Sequence, residues 1–427
     1  MGDCVVPIAV VGAGPAGLTT AVALARRNPA WASEMVVLDP GGRWMQRWRT
    51  AFSALDIAHL RSPTVHHPDD DPWAFVDYVR GDESGTFRDG QYVLPATTSF
   101  HRFCDEVTVL CDLEHVVHPS SVEHINVGGR GAGAVLDLAD GTQISARHVV
   151  VATNPRLPHV PTFAAAARHA APAVVRLASE VDLQGTLPSS VLVVGGGLTG
   201  AQLALGAHAR GVRVHYATRG RIRVQPFDVD AGWLGPRHLD AFHAEPDLAA
   251  RRAMLTAARP FGTMPGFAAK ELRRAATSGL ALHEGAEVVG LLLVDGAGAG
   301  FSGASATLGD GARVQVDEVW LATGTTVDVL ADPLCASLQA MAPIPIHGGL
   351  PAIDAGCRWP GTEVFLVGSC AALRVGPAAA IMFGHRQAAV RVCAELLPGR
   401  RCLPGRLGVD GGHGRGRRSS RGRRHVE

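Results

Sequence analysis

The sequence predicts an α/β fold of two Rossmann-type dinucleotide-binding domains, the second inserted in the first, and three observations predict it. Residues 7–39 read PIAVVGAGPAGLTTAVALARRNPAWASEMVVLD: a short apolar strand, a Gly-rich turn, an Ala/Leu helix and a second strand ending in an acid. Residues 190–219, SVLVVGGGLTGAQLALGAHARGVRVHYATR, repeat that design but end in a base. The third observation is a second repeat, in which AVLDLADGTQISARHVVVATN at 134–154 matches SATLGDGARVQVDEVWLATGT at 305–325. Each copy is a hairpin turned at Asp-Gly, Asp140-Gly141 and Asp310-Gly311, followed by an apolar strand that runs into Ala-Thr.

In the first βαβ unit, Gly12, Gly14 and Gly17 supply a tight turn, a side-chain-free approach to a pyrophosphate and close packing of helix on strand. The helix opening at Pro15 points backbone N–H groups at the anion, and Asp39 accepts hydrogen bonds from a ribose. Gly195, Gly197 and Gly200 repeat the arrangement. There the second strand ends at Arg219, with Arg221 close behind. A guanidinium fork suits the 2′-phosphate of NADPH, which an acid would repel, so NADPH is expected over NADH. The alternative is that these arginines are simply solvated.

The economical layout places residues 1–185 and 315–400 in the first domain and 186–314 in the second, with a helical insert at about 225–277 rich in Ala, Arg and Leu. Residues 401–427 form a basic tail. Nine arginines between 400 and 427 face only Asp410 and Glu427, so the net charge of +1 leaves an acidic body. The tail has too few apolar residues to order itself and is expected to be disordered, with RNA or anionic-surface binding as the lesser alternative. Composition is otherwise that of an ordinary globular protein, 47 % hydrophobic and 19 % charged. No two of the eight cysteines form C-x-x-C, which argues against a redox dithiol or a zinc site. Without a signal peptide or an apolar run of spanning length, the chain is expected to be cytoplasmic, with neither membrane nor nucleic acid as partner.

DPGGRW at 39–44 resembles the flavin-containing and N-hydroxylating monooxygenases, nearest to their lysine/ornithine N-hydroxylase-like group. LRSPTVHHPDDDPWAFVDYV at 60–79, YVLPATTSFHRFCDEV at 92–107, ATGTTVD at 322–328 and EVFLVGSCAALRVGPAAAIMFGHRQAAVRV at 363–392 extend the resemblance over most of residues 5–397. It implies FAD on the first domain, with Gly41, Gly42 and Trp44 in the loop over the flavin and Arg61 in the next segment. Trp44 and Trp48 are alternatively core aromatics. The 363–392 segment reads as a strand ending at Gly368, then a helix opening near Gly376-Pro377 whose N-terminus faces the flavin.

The resemblance further implies that NADPH reduces FAD and that oxygen adds to the reduced flavin as a peroxyflavin, which oxygenates a small nucleophile, an amine first and a sulfide second. No catalytic nucleophile or metal site is identified. His66 and His67 read as pocket-shaping loop residues or flavin and substrate contacts. Asn154 departs from the Ala-Thr-Gly common at that place, and Arg176-Leu177-Ala178-Ser179 stands where His-Ser is usual. Lys270 is the only lysine, so the basic substrate contact of the amino-acid hydroxylases has no lysine counterpart. Two other readings stay open: an NADPH-dependent flavin oxidoreductase or oxidase without oxygen insertion, and a catalytically silent flavin-binding regulatory protein.

Overall fold

The computed structural model describes residues 5–80, 85–89, 92–259, 262–296 and 300–397. The tail assigned at 401–427 lies outside them. Val6–Val11, an all-apolar strand, is buried from Ile8 onward and pairs in parallel with Met35–Leu38 on one side and Gln143–Val151 on the other. These strands belong to a seven-stranded sheet in the order Val117–His118, Met35–Leu38, Val6–Val11, Gln143–Val151, Ala134–Leu138, Val122–Val127. Its seventh strand, Val364–Leu366, pairs in parallel with the last three residues of Gln143–Val151, whose first half pairs antiparallel with Ala134–Leu138. One strand thus carries the hairpin and the parallel core together. Helix Pro15–Arg27 is buried from Ala16 to Ala25 because it is packed between this sheet and the terminal helix Met382–Leu396, and its alanines and glycine allow that close approach.

The second sheet has five parallel strands in the order Val175–Leu177, Glu318–Leu321, Ser190–Val194, Arg213–Thr218, Ala281–Glu284. Helices Leu198–Ala209 and Gly266–Thr277 pack on it through Ala201, Ala204, Ala268, Ala269 and Leu272. The two repeated hairpins share their turn chemistry. Asp140 Oδ1 accepts from Thr142 N and Asp310 Oδ1 from Ala312 N, both at 2.9 Å, ahead of Gly141 and Gly311 at φ +83° and +85°.

Strand pairing runs across two of the expected boundaries. Val175–Leu177 falls before the expected cut at 185 and Glu318–Leu321 after the one at 314, yet the two are hydrogen-bonded neighbours in the second sheet, Val175 opposite Val319. A short apolar strand pairs where a sheet edge is exposed, and no local signal says which sheet offers that edge. Between the sheets the chain runs through an antiparallel ribbon, Arg156–Pro158 against Thr325–Val327. Within the expected insert 225–277, Gly266–Thr277 is the crossover helix of the second sheet, which leaves Pro236–Ala244 and Leu248–Ala258 as the added helices. The helix expected to open near Gly376-Pro377 begins at Met382. Pro377–Ala380 makes only a 3₁₀ turn, and Ile381, extended at φ −121° and ψ 165°, interrupts any continuation.

Candidate functional site

The first Gly-rich turn is shaped by contacts that only glycine allows. Gly12 sits at φ +107°, and a Cβ on Gly17 would lie 1.9 Å from the carbonyl oxygen of Gly12. Gly14 is different: a Cβ there would meet nothing within 4 Å. It caps Pro15–Arg27 without any side-chain hydrogen bond, so the first-turn N–H groups stay available beside open space. Asp39 fastens the turn from the neighbouring strand, its Oδ2 accepting from Ala13 N at 2.9 Å and its Oδ1 from Gly41 N at 2.8 Å. Each oxygen keeps a second lone pair, as a ribose hydroxyl requires. Gly42, at φ +62°, packs on Pro119.

The second turn repeats this. A Cβ on Gly195 would lie 2.1 Å from Ala322 O, and one on Gly200 2.4 Å from Gly195 O, while Gly197 caps Leu198–Ala209 with no side-chain bond. Gly262 lies against Gly197, its Cα 3.6 Å from where a Cβ would stand. Arg219 and Arg221 follow the strand end at Thr218, both exposed, and neither makes a hydrogen bond or ion pair among the described residues.

Two residues expected at the cofactor turn their donors to protein. Arg61 spends all five N–H donors on protein: Pro226 O, Gln225 O, Asp228, Thr263 O and Thr263 Oγ1. It clamps the 225–228 segment and Thr263 to the first unit and has no donor left for a phosphate. Trp44 is 8 % exposed and donates its Nε1–H to Leu113 O at 2.8 Å, inside the first core. Trp48 is half-buried, stacks on Phe52 with centroids 3.6 Å apart and packs against that core. Gly376 and Pro377 lie in the 3₁₀ turn before the terminal helix.

A group of side chains of which the sequence singled out only Asn154, beside the strand end at Gly368, gathers at the C-terminal ends of Gln143–Val151 and Val364–Leu366. Asn154 Oδ1 accepts from Ser369 Oγ at 2.9 Å and from Arg156 Nε at 3.0 Å, and Arg156 Nη2 donates to Ser369 Oγ at 3.1 Å. Gly368, at φ +66°, places this loop beside Ala16 at the head of the first helix. His385, near the start of the terminal helix, is 7 % exposed with Nδ1 unpartnered. Only the adjacency of two parallel strands joins residues 154–156 to 369 and 385, so no spacing in the sequence signals them.

Burial pushes the imidazoles of His66, His67 and His385 down to about 4 and keeps them neutral, with Arg386 adding to the fall at His66. His66 Nδ1 and His67 Nδ1 are buried without partners, and no group able to hold a metal occurs among the described residues. Cys104, Cys111, Cys335, Cys357 and Cys370 are buried and form no disulfide among the described residues. Burial pushes Cys357 and Cys370 up to about 12 and raises Cys104, Cys111 and Cys335 as well, so none of these five is a ready thiolate. Arg251 and His243 of the added helices bond to Leu373 O and Arg374 O, both at 3.1 Å, which docks those helices on the first unit beside this group. No described helix is long and apolar enough to cross a membrane.

Similar architectures are known. The ornithine N-hydroxylase of Kutzneria sp. 744 is 18 % identical with a TM-score of 0.72, over 92 % of this chain and 99 % of that one. The FAD-bound cadaverine monooxygenase of Erwinia amylovora is 14 % identical at 0.71, over 98 % and 100 %. The L-lysine 6-monooxygenase of Pseudomonas syringae is 18 % identical at 0.65, over 91 % and 98 %. No curated protein matches by sequence. The model of one family matches residues 6–390, spanning both Gly-rich turns and both repeated hairpins, and this chain therefore belongs to the pyridine nucleotide-disulphide oxidoreductases.

Proposed function

We propose that the chain is an FAD- and NADPH-dependent monooxygenase that N-hydroxylates a small primary amine. The observation that carries the reading is the pair of uncapped helix N-termini, each following a Gly-rich turn at the C-terminal edge of the parallel strands of its own sheet. The site's residues fit the two dinucleotides. Gly14 leaves room for a diphosphate, Asp39 keeps acceptors for a ribose, and the unpartnered Nδ1 of His385 marks a buried polar surface at the other end. FAD would lie from Asp39 across Gly14 to Ser369, and NADPH on Gly195–Gly200 with its 2′-phosphate at Arg219 and Arg221. Bound FAD would take a hydride from NADPH and pass its electrons to oxygen. The FAD-binding unit would comprise the described residues up to the ribbon at Arg156–Pro158 and those after Thr325–Val327, with the NADPH-binding unit between them.

Disulfide reduction, which the family name includes, needs a nucleophilic dithiol. The thiols of Cys104, Cys111, Cys335, Cys357 and Cys370 are buried, and burial raises the pKa of each, which supports chemistry at the flavin itself. The hydroxylases of similar fold are named for ornithine, cadaverine and lysine, which share a primary amine on an alkyl chain. The test is to supply NADPH, oxygen and a panel of primary amines and to assay hydroxylamine and hydrogen peroxide together. Amine-dependent hydroxylamine is the expected result. If all electrons from NADPH end in peroxide with every amine, the oxidase reading replaces this one.

A further inference from the structure

We infer that Arg156 is a fixed positive charge at the flavin end of the FAD site, placed to bind the pyrimidine edge of the ring as that edge gains negative charge. The inference rests on the FAD reading above and extends it to a residue that no motif marks. The direction of the dinucleotide follows from strand order. With the diphosphate at Gly14 and the adenosine ribose at Asp39 on Met35–Leu38, the other half of FAD must cross Val6–Val11 toward Gln143–Val151 and Val364–Leu366. The ends of those two strands carry Asn154–Arg156 and Gly368–Ser369, and Gly368 borders Ala16 at the head of the same helix.

Arg156 is held there by neutral partners only. Its Nε donates to Asn154 Oδ1 at 3.0 Å, Nη1 to Thr325 Oγ1 at 3.2 Å and Nη2 to Ser369 Oγ at 3.1 Å, which leaves two of five N–H donors free. No carboxylate pairs with it among the described residues. Asp228, whose field reaches it, already pairs with Arg61 and with Arg259 at 3.2 Å. Arg61, of the same residue type, has every donor filled and a carboxylate besides. Burial lowers the pKa of Arg156, and Arg259 lowers it further, as expected of a cation held without a counter-charge. Arg156 is half-buried, and FAD seated over it would exclude the solvent that still reaches its guanidinium, a cost that an anion at its two free donors would offset. Hydride transfer supplies such an anion. NADPH gives up a proton and two electrons together and becomes NADP⁺, and the neutral flavin that receives them carries one negative charge, with no proton drawn from solvent. Charge near the ring is a means by which a protein tunes a flavin.

The test uses the FAD-loaded protein and two readouts other than turnover: the dissociation constant of the anionic adduct that sulfite forms with oxidised flavin, and the two-electron reduction potential. Arg156→Gln removes the charge. Asn154→Asp keeps the shape of the partner at Nε and pairs the charge locally, and it carries the test if Arg156→Gln does not fold. In either variant sulfite binding should weaken at least tenfold and the potential should fall by about 30 mV per tenfold change in equilibrium constant. Arg156→Lys should restore most of both. Full FAD content with sulfite affinity and potential within twofold equivalence of wild type in both variants overturns the assignment. A wild-type protein that takes up no FAD defeats the flavoprotein reading itself, and the assignment with it.

Discussion

Gly14→Val and Gly17→Val, three residues apart in one turn, should fail for different reasons. A valine Cβ at Gly14 projects into space with no protein atom within 4 Å, from an extended backbone of φ −79° and ψ −169° that any residue adopts. Its cost to the apoprotein is that of a poor N-cap, about 1 kcal/mol, or roughly 2–4 °C in Tm for a domain of this size. At Gly17 the Cβ would lie 1.9 Å from the carbonyl oxygen of Gly12, an overlap that only backbone movement relieves. Overpacking of that kind costs about 3 kcal/mol or more, roughly 6–12 °C. The assay is apoprotein melting by circular dichroism together with FAD bound per chain. Gly14→Val should melt near wild type and retain no FAD, because its methyls occupy the approach of the diphosphate. Gly17→Val should lose stability first and FAD only in consequence. Stoichiometric FAD on Gly14→Val would refute the placement of the diphosphate, and equal destabilisation of the two variants would refute the division of roles.

Other perturbations follow from the same geometry. Arg219 is exposed and makes no hydrogen bond or ion pair among the described residues, so Arg219→Ala should leave melting unchanged while weakening NADPH by about ten- to a hundredfold, the worth of a charge-assisted hydrogen bond. Equal losses for NADH and NADPH in flavin reduction would show that it does not read the 2′-phosphate. Arg61→Met strips partners from Gln225 O, Pro226 O and Asp228 and should cost about 2 kcal/mol in urea denaturation with FAD affinity retained, whereas normal stability with weakened FAD would return Arg61 to the cofactor. His66, His67 and His385 are buried neutral with pKa values near 4, below the ordinary 6.5. The unfolded chain therefore binds more protons between those values. Stability should be complete above about pH 6.5 and fall toward pH 4, by about 1.4 kcal/mol per pH unit for each proton taken up. Denaturation at stepped pH checks this, and replacing His385 by Gln should flatten the slope.

Much of the fold was legible because it is written in local patterns. Turn chemistry at Asp140-Gly141 and Asp310-Gly311, apolar runs of strand length and glycines at fixed spacing are properties of short segments. The two Gly-rich turns therefore lie where the motif places them, and Gly12, Gly17, Gly195 and Gly200 make the close backbone contacts that explain their residue type. The partners of Arg61 and Trp44 could not be read from the motifs, for a common reason. A motif names a residue type at a position, but whether its donors face a ligand or its own protein depends on chain more than 150 residues away for Arg61, and on Leu113 for Trp44.

The sequence by itself determined the two βαβ units, their repeated hairpins, the nesting of one unit in the other and the absence of a C-x-x-C dithiol, since each follows from contiguous residues and the stereochemistry of a single turn or strand. Tertiary structure decided the rest. It gave Val175–Leu177 and Glu318–Leu321 to the second sheet, made Gly266–Thr277 a crossover helix, filled every donor of Arg61 and brought Asn154, Arg156 and Ser369 together. The physical reason is that backbone pairing and hydrogen-bond satisfaction are settled between segments that share a sheet edge, and a chain of 427 residues offers each short strand more than one edge to join.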